Sequence, residues 1–440
     1  MLQSKTVRKY DTYKDSGIEW IGEIPQEWKL VKTGRVFRNT KEIVGSNSAN
    51  VERLALTLNG VIKRDKDDAE GLQPEQFDGY QYLRKNQMVF KLIDLENVNT
   101  SRVGLCPFEE GMVSPAYIVL KNNQSDNRYY HYYFLSLWHN EIFNHLGGDG
   151  VRSALNAKDL LNIPTFDLSN EIQQRIAEYL DKKCGEIDRV VETEKSVIEK
   201  LKEYKQSIIT EAVTKGLDKS ISLKYSGIEY LGNIPNNWNI KRLRYLATCQ
   251  NGISKGGEFF GEGAPFVSYG DVYNNNVLPE IVSGLCMVTD AEKENYSVRE
   301  NDIFFTRTSE TIEEIAITCV CKKTIPDATF AGFLIRVRPY TDELLVDFSK
   351  YYFASEIHRK FFVKEMNLVI RASLSQELLK KLPVLIPPKE EQRQIAEYLD
   401  KKCSEIDKAI ADKEQVIEKF TEYKKSLIYE CVTGKRKVDG

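Results

Sequence analysis

The sequence carries the same long segment twice, and this repeat constrains the fold more than any other feature. Residues 176–184 read Ile-Ala-Glu-Tyr-Leu-Asp-Lys-Lys-Cys, and residues 395–403 repeat them letter for letter. The similarity continues, with interruptions, to Val213-Thr214 in the first copy and Val432-Thr433 in the second. Repeated segments of this length normally adopt the same structure. We therefore expect the two halves of the chain to share one architecture.

A second repeated block precedes each long segment. Residues 16–25, Ser-Gly-Ile-Glu-Trp-Ile-Gly-Glu-Ile-Pro, correspond to residues 226–235, Ser-Gly-Ile-Glu-Tyr-Leu-Gly-Asn-Ile-Pro, and Trp28 corresponds to Trp238. Between the two kinds of block the halves have diverged. Each half is therefore predicted to be a globular domain with a preserved frame and a diverged interior, followed by a preserved segment.

The preserved segments have the period of α-helices. From Ile172 the apolar residues recur mostly three, four or seven positions apart, which is typical of a helix with a narrow apolar seam. Ser169-Asn170 can cap the first helix, while Gly216 and Gly434 provide stop signals. Roughly 40 residues make a helix of about 60 Å. Such a long seam needs a partner seam, and the obvious partner is its own copy; the direction of pairing stays open at this point.

The predicted fold class is α+β, with two globular mixed α/β domains and an internal pseudo-twofold repeat. The predicted segments are 1–168 (first domain), 169–216 (first long helix), 217–387 (second domain) and 388–440 (second long helix and basic tail). Within the domains, the predicted strands are 51–58, 87–93, 116–120, 266–269, 302–305, 315–321 and 333–338. The predicted helices are 129–145, which is rich in aromatic residues, and 348–363.

Composition excludes several classes of protein. The chain has 440 residues, 41% of them hydrophobic, and a formal net charge of -3. Its length suggests two or more domains, and the slightly acidic balance argues against a protein that coats nucleic acid or an anionic membrane without specificity. No apolar run reaches the roughly 20 residues of a membrane helix. We expect a cytoplasmic protein whose eight cysteines stay reduced.

Motifs that carry catalytic chemistry are missing. The sequence contains neither a phosphate-binding G-x-x-x-x-G-K-[ST] loop nor a G-x-G-x-x-G fingerprint, and the glycines of residues 252–257 have the wrong spacing. The Asp/Asn-Pro-Pro-aromatic tetrapeptide of amino-methyltransferases is absent as well. With four histidines and no C-x-x-C pair, a zinc site is not indicated. We therefore expect no catalytic residues, no metal site and no cofactor bound by this chain.

The order of the repeated blocks resembles that of a known family. Each half has the block Ser-Gly-Ile-Glu-aromatic, then a diverged domain, then a long helix. The clearest opening of that helix is at residues 387–396, Pro-Pro-Lys-Glu-Glu-Gln-Arg-Gln-Ile-Ala. This repeated order is similar to that of the specificity subunit of type I restriction-modification enzymes. The first copy departs from the Pro-Pro form, since residues 167–172 read Asp-Leu-Ser-Asn-Glu-Ile. The resemblance covers essentially the whole chain.

The resemblance implies a function and a set of partners. It implies two target-recognition domains spaced by an antiparallel coiled coil, which together read a bipartite, asymmetric site on double-stranded DNA. It also implies two modification (methyltransferase) subunits, which would bring S-adenosylmethionine, and restriction (translocase and nuclease) subunits, which would bring ATP and Mg²⁺. This chain would be a non-catalytic address module in a bacterial or archaeal host-defence system.

Base readout requires Arg, Lys, Asn, Gln or hydroxyl groups in loops that reach base edges, with further cations on phosphates. In the first domain the candidate DNA-binding residues are Lys63, Arg64, Lys91, Arg102, Tyr117 and Arg152. In the second domain they are Lys255, Ser268, Tyr269, Arg307, Thr308, Ser309 and Arg371. For each, an ordinary surface side chain is the alternative. Arg152 and Arg371 could equally be structural, because both halves keep them.

Two other classes of protein remain open. One is a stand-alone DNA methyltransferase or nuclease with a divergent active site. The other is a coiled-coil scaffold that does not bind DNA. We also expect the two ends of the chain to lie close together, because the tail after the second long helix occupies the place where the first long helix continues into the second domain.

Overall fold

The structure is a computed structural model that describes residues 8–68, 76–93, 101–146, 154–309, 315–365 and 372–438. The chain divides into two compact units. The first unit comprises Met1–Lys195 and Glu414–Gly440, and the second comprises Ser196–Lys413. The boundary passes through both long helices, so each unit contains one part of each helix. The four segments predicted above remain a prediction.

The described part of the first unit contains twelve strands, most of them short. They are β1 (Tyr13–Asp15), β2 (Glu23–Pro25), β3 (Lys29–Lys32), β4 (Arg38–Thr40), β5 (Leu54–Thr57), β6 (Gly60–Lys63), β7 (Gln81–Arg84), β8 (Met88–Phe90), β9 (Val103–Leu105), β10 (Glu110–Val113), β11 (Ile118–Lys121) and β12 (Pro164–Asp167). Its helices are α1 (Thr33–Val36), α2 (Arg128–His139), α3 (Ile142–Leu146), α4 (Ala157–Asn162) and the first part of α5 (Asn170–Lys215).

The second unit contains the remaining strands and helices. Its strands are β13 (Leu223–Tyr225), β14 (Asn233–Pro235), β15 (Asn239–Arg242), β16 (Ala247–Asn251), β17 (Phe260–Val267), β18 (Leu285–Cys286), β19 (Ile303–Thr306), β20 (Thr308–Ser309), β21 (Thr318–Val320), β22 (Thr329–Phe330), β23 (Leu334–Pro339), β24 (Ala372–Ser373) and β25 (Pro383–Ile386). Its helices are α6 (Tyr269–Tyr273), α7 (Asp290–Asn295), α8 (Val346–Ala354), α9 (Ile357–Glu365), α10 (Gln376–Lys380) and the first part of α11 (Lys389–Val432).

The two units share one framework. Each has a four-stranded antiparallel sheet, ordered β4-β11-β8-β9 in the first unit and β16-β23-β19-β21 in the second. Each also pairs the strand after its buried tryptophan with the strand before its long helix, β3 with β12 and β15 with β25. The hairpin of the repeated block is shared as well, β1 with β2 and β13 with β14. The pairings of the other strands differ between the units. The mixed α+β fold class is thus confirmed, and the divergence lies inside a repeated frame.

The long helices pair antiparallel within the first unit. The Lys424 ammonium on α11 lies 2.6 Å from the Asp188 carboxylate on α5, while Arg436, just beyond α11, interacts with the Tyr179 side chain nearer the start of α5. As the residue number rises along α5, the number of its partner falls. Around these polar contacts, apolar residues of α5 and α11 share one buried core with the domain.

The same pairing recurs within the second unit. Lys205 on α5 forms an ion pair of 2.6 Å with Asp407 on α11, and Gly216, after the end of α5, lies beside Glu391 at the start of α11. By the sequence repeat, Lys205 and Asp407 are the counterparts of Lys424 and Asp188. Each unit therefore contains one copy of a single repeated ion pair, and the predicted antiparallel direction is confirmed within both. Such exposed pairs add little stability, so the buried seam residues supply most of it.

A buried tryptophan receives the end of a long helix in each unit. In the second unit, Gly216 adopts a φ of +71° and packs against Trp238, whose indole N–H donates to Glu391 over 2.9 Å. In the first unit, Gly434 has a φ of +77° and packs against Trp28. Both conformations are left-handed and favour glycine. The repeated block around each tryptophan is therefore a socket for the C-terminal end of a helix.

The chain ends meet in the first unit. The backbone N–H of Lys437 donates to the carbonyl of Arg8 over 2.8 Å, and the Lys437 ammonium lies 5.8 Å from the centre of the Tyr10 ring. The Lys435 ammonium donates to the carbonyl of Ile21 over 2.7 Å. The expected proximity of the two ends is confirmed for the described residues.

Three predicted elements are corrected. The aromatic helix predicted over 129–145 is two helices, because the backbone turns at Glu141, which has a φ of +58°. The helix predicted over 348–363 is also two, because Ser355 is extended between α8 and α9. The strand predicted over 266–269 ends at Val267, since Ser268 caps α6 through Asp271. In each case a local backbone preference overrides a continuous apolar pattern. Among the described residues, no helix is long and apolar enough to cross a membrane.

The socket predicts that two glycine substitutions in the first unit lower its stability by unequal amounts. Gly17 and Gly434 both have positive φ, but a Cβ at Gly17 would meet nothing within 4 Å, whereas a Cβ at Gly434 would collide with the Pro25 ring and lie 3.2 Å from Trp28. Gly17→Ala should cost about 1–2 kcal/mol for the left-handed backbone alone. Gly434→Ala should cost about 1–3 kcal/mol more for the overpacking. Thermal denaturation of the two variants measures the difference, and equal midpoints would contradict the socket.

A buried histidine predicts a pH dependence of the second unit. His358 is 4% exposed, its Nε2 lies 2.9 Å from the Tyr352 carbonyl, and its Nδ1 has no hydrogen-bond partner among the described residues. Burial lowers the pKa of His358 to about 4. Because an unfolded histidine has a pKa of about 6.5, the unfolded chain binds an additional proton between pH 6.5 and 4. Stability should therefore fall as the pH drops through this window.

The matched variant is His358→Gln, which removes the titrating group and keeps a hydrogen-bond donor. The difference in the free energy of unfolding between wild type and variant should change by about 1.4 kcal/mol per pH unit inside the window. As the pH falls, the wild type should become less stable relative to the variant. Denaturant titrations at several pH values measure it. A difference that does not vary with pH would refute the assignment.

Candidate nucleic-acid interface

In the second unit, four separate chain segments converge on one turn, residues 331–333, which lies between β22 and β23. β22 runs parallel to β17, so the N–H of Ala331 donates to the carbonyl of Val267, the residue before Ser268. The N–H of Gly332 donates to the carbonyl of Ile253 over 2.7 Å, and this contact brings in the glycine-rich loop 252–257. We call this region the turn surface: residues 252–255, 267–269, 307–309, 331–333 and 372–374.

The end of strand β19 brings the predicted donor cluster to the same place. The N–H of Arg307 donates to the carbonyl of Phe333 over 2.9 Å, and its Nη1 lies 3.4 Å from the carbonyl of Gly332. Thr308 pairs with Ser373 in a short two-stranded ladder. Ser309 follows in the same ladder, paired with Ala372. The structure therefore brings Arg307, Thr308 and Ser309 together beside the turn.

Lys255 belongs to the turn surface by its backbone, but its side chain serves the fold. The Lys255 ammonium donates to the Met287 carbonyl over 2.8 Å and to the Glu292 carboxylate over 2.9 Å, and the side chain is 14% exposed. The Lys255 hydrogen bond lowers the pKa of Glu292, which also completes the capping box of α7 with Thr289. This placement favours the anchoring of the loop over contact with DNA, and the predicted DNA contact of Lys255 stays a prediction.

Ser268 and Tyr269 also adjoin the turn with partners of their own. The Ser268 hydroxyl donates to the Asp271 carboxylate over 2.7 Å and accepts from the Asp271 N–H, which caps helix α6. The Tyr269 ring stacks on Tyr273, with the ring centres 5.7 Å apart. The Ser268 hydroxyl is thus used for capping, whereas the tyrosine pair is at least partly exposed on helix α6.

In the first unit, two predicted cations line a shallow cavity. This cavity has a volume of about 410 Å³ and is lined by residues 49–53 and 63–66. Lys63 is paired with Glu52 across it, and the Arg64 guanidinium lies 2.7 Å from the Asp68 carboxylate. Two further cations, Arg53 and Lys66, were not predicted and also line it. Burial raises the pKa of the phenol of Tyr117, another predicted residue, and the charges of the nearby Arg53 and Arg64 act in the opposite direction.

Arg102 is placed differently from the expectation of an exposed DNA contact. It is 1% exposed, and its guanidinium donates to the carbonyl of Ile93 over 3.2 Å. Its carbonyl accepts from the N–H of Lys91, as the carbonyl of Ile317 accepts from Thr306 in the second unit. Arg102 thus occupies a position that holds a hydrophobic residue in the other unit. This placement favours a structural role, and its predicted DNA contact, like that of the neighbouring half-buried Lys91, stays a prediction.

Two candidates, Arg152 and Arg371, lie outside the described residues. Backbone hydrogen bonds of the residues that follow them nevertheless show which positions correspond in the two units. The N–H of Leu155 donates to the carbonyl of Leu92 over 3.0 Å, and the N–H of Leu374 donates to the carbonyl of Arg307 over 2.8 Å. Leu92 and Arg307 are therefore equivalent positions at the ends of β8 and β19. One framework carries a leucine in one unit and an arginine in the other.

Sequence reasoning missed Phe333, Arg53 and Lys66 as members of these surfaces. Phe333 had been placed at the start of a buried strand because its neighbours are apolar. The signal in the sequence is the preceding Gly332, because an isolated glycine in a strand pattern indicates a turn or a close backbone approach. The structure shows that approach, since an added Cβ would collide with Ser254 and lie 3.0 Å from the Ile253 carbonyl. Among the described residues, no group of three or more His, Cys, Asp or Glu side chains could hold a metal ion.

Comparison with known proteins places both units in context. A family model described as the type I restriction modification DNA specificity domain matches residues 235–419, which include the whole turn surface. The putative type I restriction enzyme MjaX specificity subunit of Methanocaldococcus jannaschii is 23% identical over 95% of this chain and 96% of its own length. The type I restriction enzyme EcoKI specificity subunit of Escherichia coli K12 is 25% identical over 61% of this chain and 57% of its own length.

A solved structure agrees at the level of the fold. A chain from work on complex assembly and conformational transition of the type I restriction-modification system superposes with a TM-score of 0.70, covering 93% of this chain and 98% of that one at 15% sequence identity. The similarity predicted from the repeated blocks is confirmed: this chain is similar to the specificity subunits of type I restriction-modification enzymes, and the model of their DNA specificity domain matches residues 235–419.

Proposed function

We propose that this chain is the DNA specificity subunit of a type I restriction-modification complex. Its two target-recognition domains would read the two parts of an asymmetric site on double-stranded DNA, and the paired long helices would form the spacer between them. The chain would perform no catalysis itself. Two modification subunits and the restriction subunits would supply that chemistry.

The observation that carries the proposal is the turn surface within the matched specificity domain. Arg307 and Thr308 are partly exposed and carry guanidinium and hydroxyl groups, which are the groups that read base edges. Backbone hydrogen bonds to Phe333 and Leu374 hold Arg307 in place, so its side chain starts from a fixed position. Rigid presentation lowers the entropy lost on binding. The equivalent residue of the first unit, Leu92, is 1% exposed, so that unit offers no guanidinium at this position, which supports a different DNA word for each domain.

The partners follow from this division of labour. S-adenosylmethionine would bind the modification subunits, whereas ATP and Mg²⁺ would bind the restriction subunits, and this chain would bind none of the three. We place the complex in the cytoplasm of a bacterium or archaeon, where the chromosomal DNA lies. The named relatives from Methanocaldococcus jannaschii and Escherichia coli support that setting.

The deciding experiment is methylome sequencing. The chain is expressed with its modification subunits in a host without other methylation of this kind, and the same host with the modification subunits alone is the control. We expect one two-part methylated motif that disappears when the chain is omitted. Methylation without a two-part motif, or binding of S-adenosylmethionine by the purified chain alone in a calorimeter, would contradict the proposal.

Arg307→Ala should alter only one half of that motif. If the guanidinium reads a base, its loss should cost about 1–3 kcal/mol and relax one position of the second word, while the first word stays unchanged. Lys323→Ala is the matched control. Lys323 is a well-exposed cation that follows β21 at the opposite end of the same sheet, paired with Glu280. The same relaxation in both variants would remove Arg307 from the reading role.

A further inference from the structure

Phe333 is the most exposed phenylalanine among the described residues, at 63%. Its sequence neighbours are buried: Phe330 and Ala331 lie in the core on one side, and Leu334 and Ile335 on the other. A single exposed apolar side chain needs no explanation by itself. Phe333, however, lies on the turn surface, directly beside the residues proposed to read DNA.

The backbone fixes the direction of this ring. Gly332 packs so closely on Ser254 and Ile253 that it has no room for a side chain, and its N–H donates to the Ile253 carbonyl. The Phe333 carbonyl accepts from the N–H of Arg307, and the next residue, Leu334, enters strand β23 opposite Thr306. The turn is therefore held on both sides, and the ring is presented outward from a rigid base.

The chemistry of the surroundings indicates what the ring meets. The Nη1 of Arg307 lies 3.4 Å from the carbonyl of Gly332, so the guanidinium reaches the residue before Phe333. A cation and an exposed ring lie next to each other on a surface within the matched specificity domain. This pair can bind a nucleic acid, because the cation attracts its negative charge and the ring can contact its bases. Apolar side chains contact thymine methyl groups or bases in the DNA grooves, while neighbouring arginines bind polar base edges.

We propose that Phe333 is a specificity-determining residue, whose ring makes the apolar base contact of the second DNA word beside the polar contact of Arg307. This inference rests on the proposed function, and it adds a residue that the pattern of polar side chains does not reveal. It assigns the 331–333 turn, between β22 and β23, as the part of the second domain that enters a groove of double-stranded DNA.

The strand β23 provides a matched control. Phe333 precedes this strand and Tyr340 follows it, and Tyr340 is 58% exposed. Seven residues of extended chain separate the two rings by about 20 Å. The Tyr340 end carries no part of the turn surface. Tyr340→Ala therefore removes an equally exposed aromatic ring from the other end of the same strand.

The test is methylome sequencing of the complete methylating complex with Phe333→Ala, Phe333→Leu or Tyr340→Ala. For Phe333→Ala we expect the first word to remain and one position of the second word to become degenerate, with methylation of sites mismatched there rising roughly ten-fold relative to matched sites. Phe333→Leu keeps an apolar contact and should restore part of the discrimination. Tyr340→Ala should leave both words unchanged.

Each other outcome overturns the inference. An unchanged motif and rate for Phe333→Ala would exclude a base contact, and equal changes for Phe333→Ala and Tyr340→Ala would show a general effect of surface truncation. Loss of methylation in both Phe333 variants together with a lowered thermal midpoint would make the ring structural. A wild-type complex without any two-part motif would instead refute the proposed function itself, so the two failures are distinct.

Discussion

The apolar seam between the two long helices is the constraint on which the rest of the structure depends. In the first unit, Ile176, Leu180 and Cys184 of α5 share a buried core with Leu427 and Val432 of α11 and with the domain helix α2. In the second unit, Ile395, Leu399 and Cys403 of α11 share a buried core with Ile209 and Val213 of α5 and with α8. Most of the stability of a helix comes from the packing of its apolar face, so a long helix with a narrow apolar seam needs a partner seam. Packing between residues far apart in sequence therefore builds each unit.

The sockets at Trp28 and Trp238 complete this arrangement. The Trp28 socket holds the end of α11, a segment from the far end of the chain, whereas the Trp238 socket holds the end of α5, which directly precedes the second domain. Gly216 and Gly434 can turn there because they tolerate positive φ. This explains why the blocks around the tryptophans and the long helices are repeated so faithfully, whereas the interiors could diverge. A change in the frame would disturb both packing partners, but a change in an exposed loop alters only one surface.

The cavity of the first unit and the turn surface of the second show how one framework carries different chemistry. Leu92 and Arg307 end equivalent strands, yet one is apolar and the other is a guanidinium. The first unit gathers Lys63 and Arg64 with Arg53 and Lys66 around a cavity, whereas the second gathers its donors around a turn. The cations differ in their surroundings, because Lys255 is paired with Glu292 and Arg102 is buried. Residue type alone therefore does not determine which side chains are exposed.

The sequence by itself determined the repeat, the two long helices with their glycine stops, and the similarity to specificity subunits, because periodicity and identity are written along the chain. Only the tertiary structure decided which side chains share a surface. Arg307, Gly332 and Ser254 are far apart in sequence, and backbone hydrogen bonds between β19, β22 and the 252–257 loop bring them together. The exposure of Phe333 and the burial of Arg102 likewise depend on packing against strands elsewhere in the chain. No local pattern of residues records such non-local pairing.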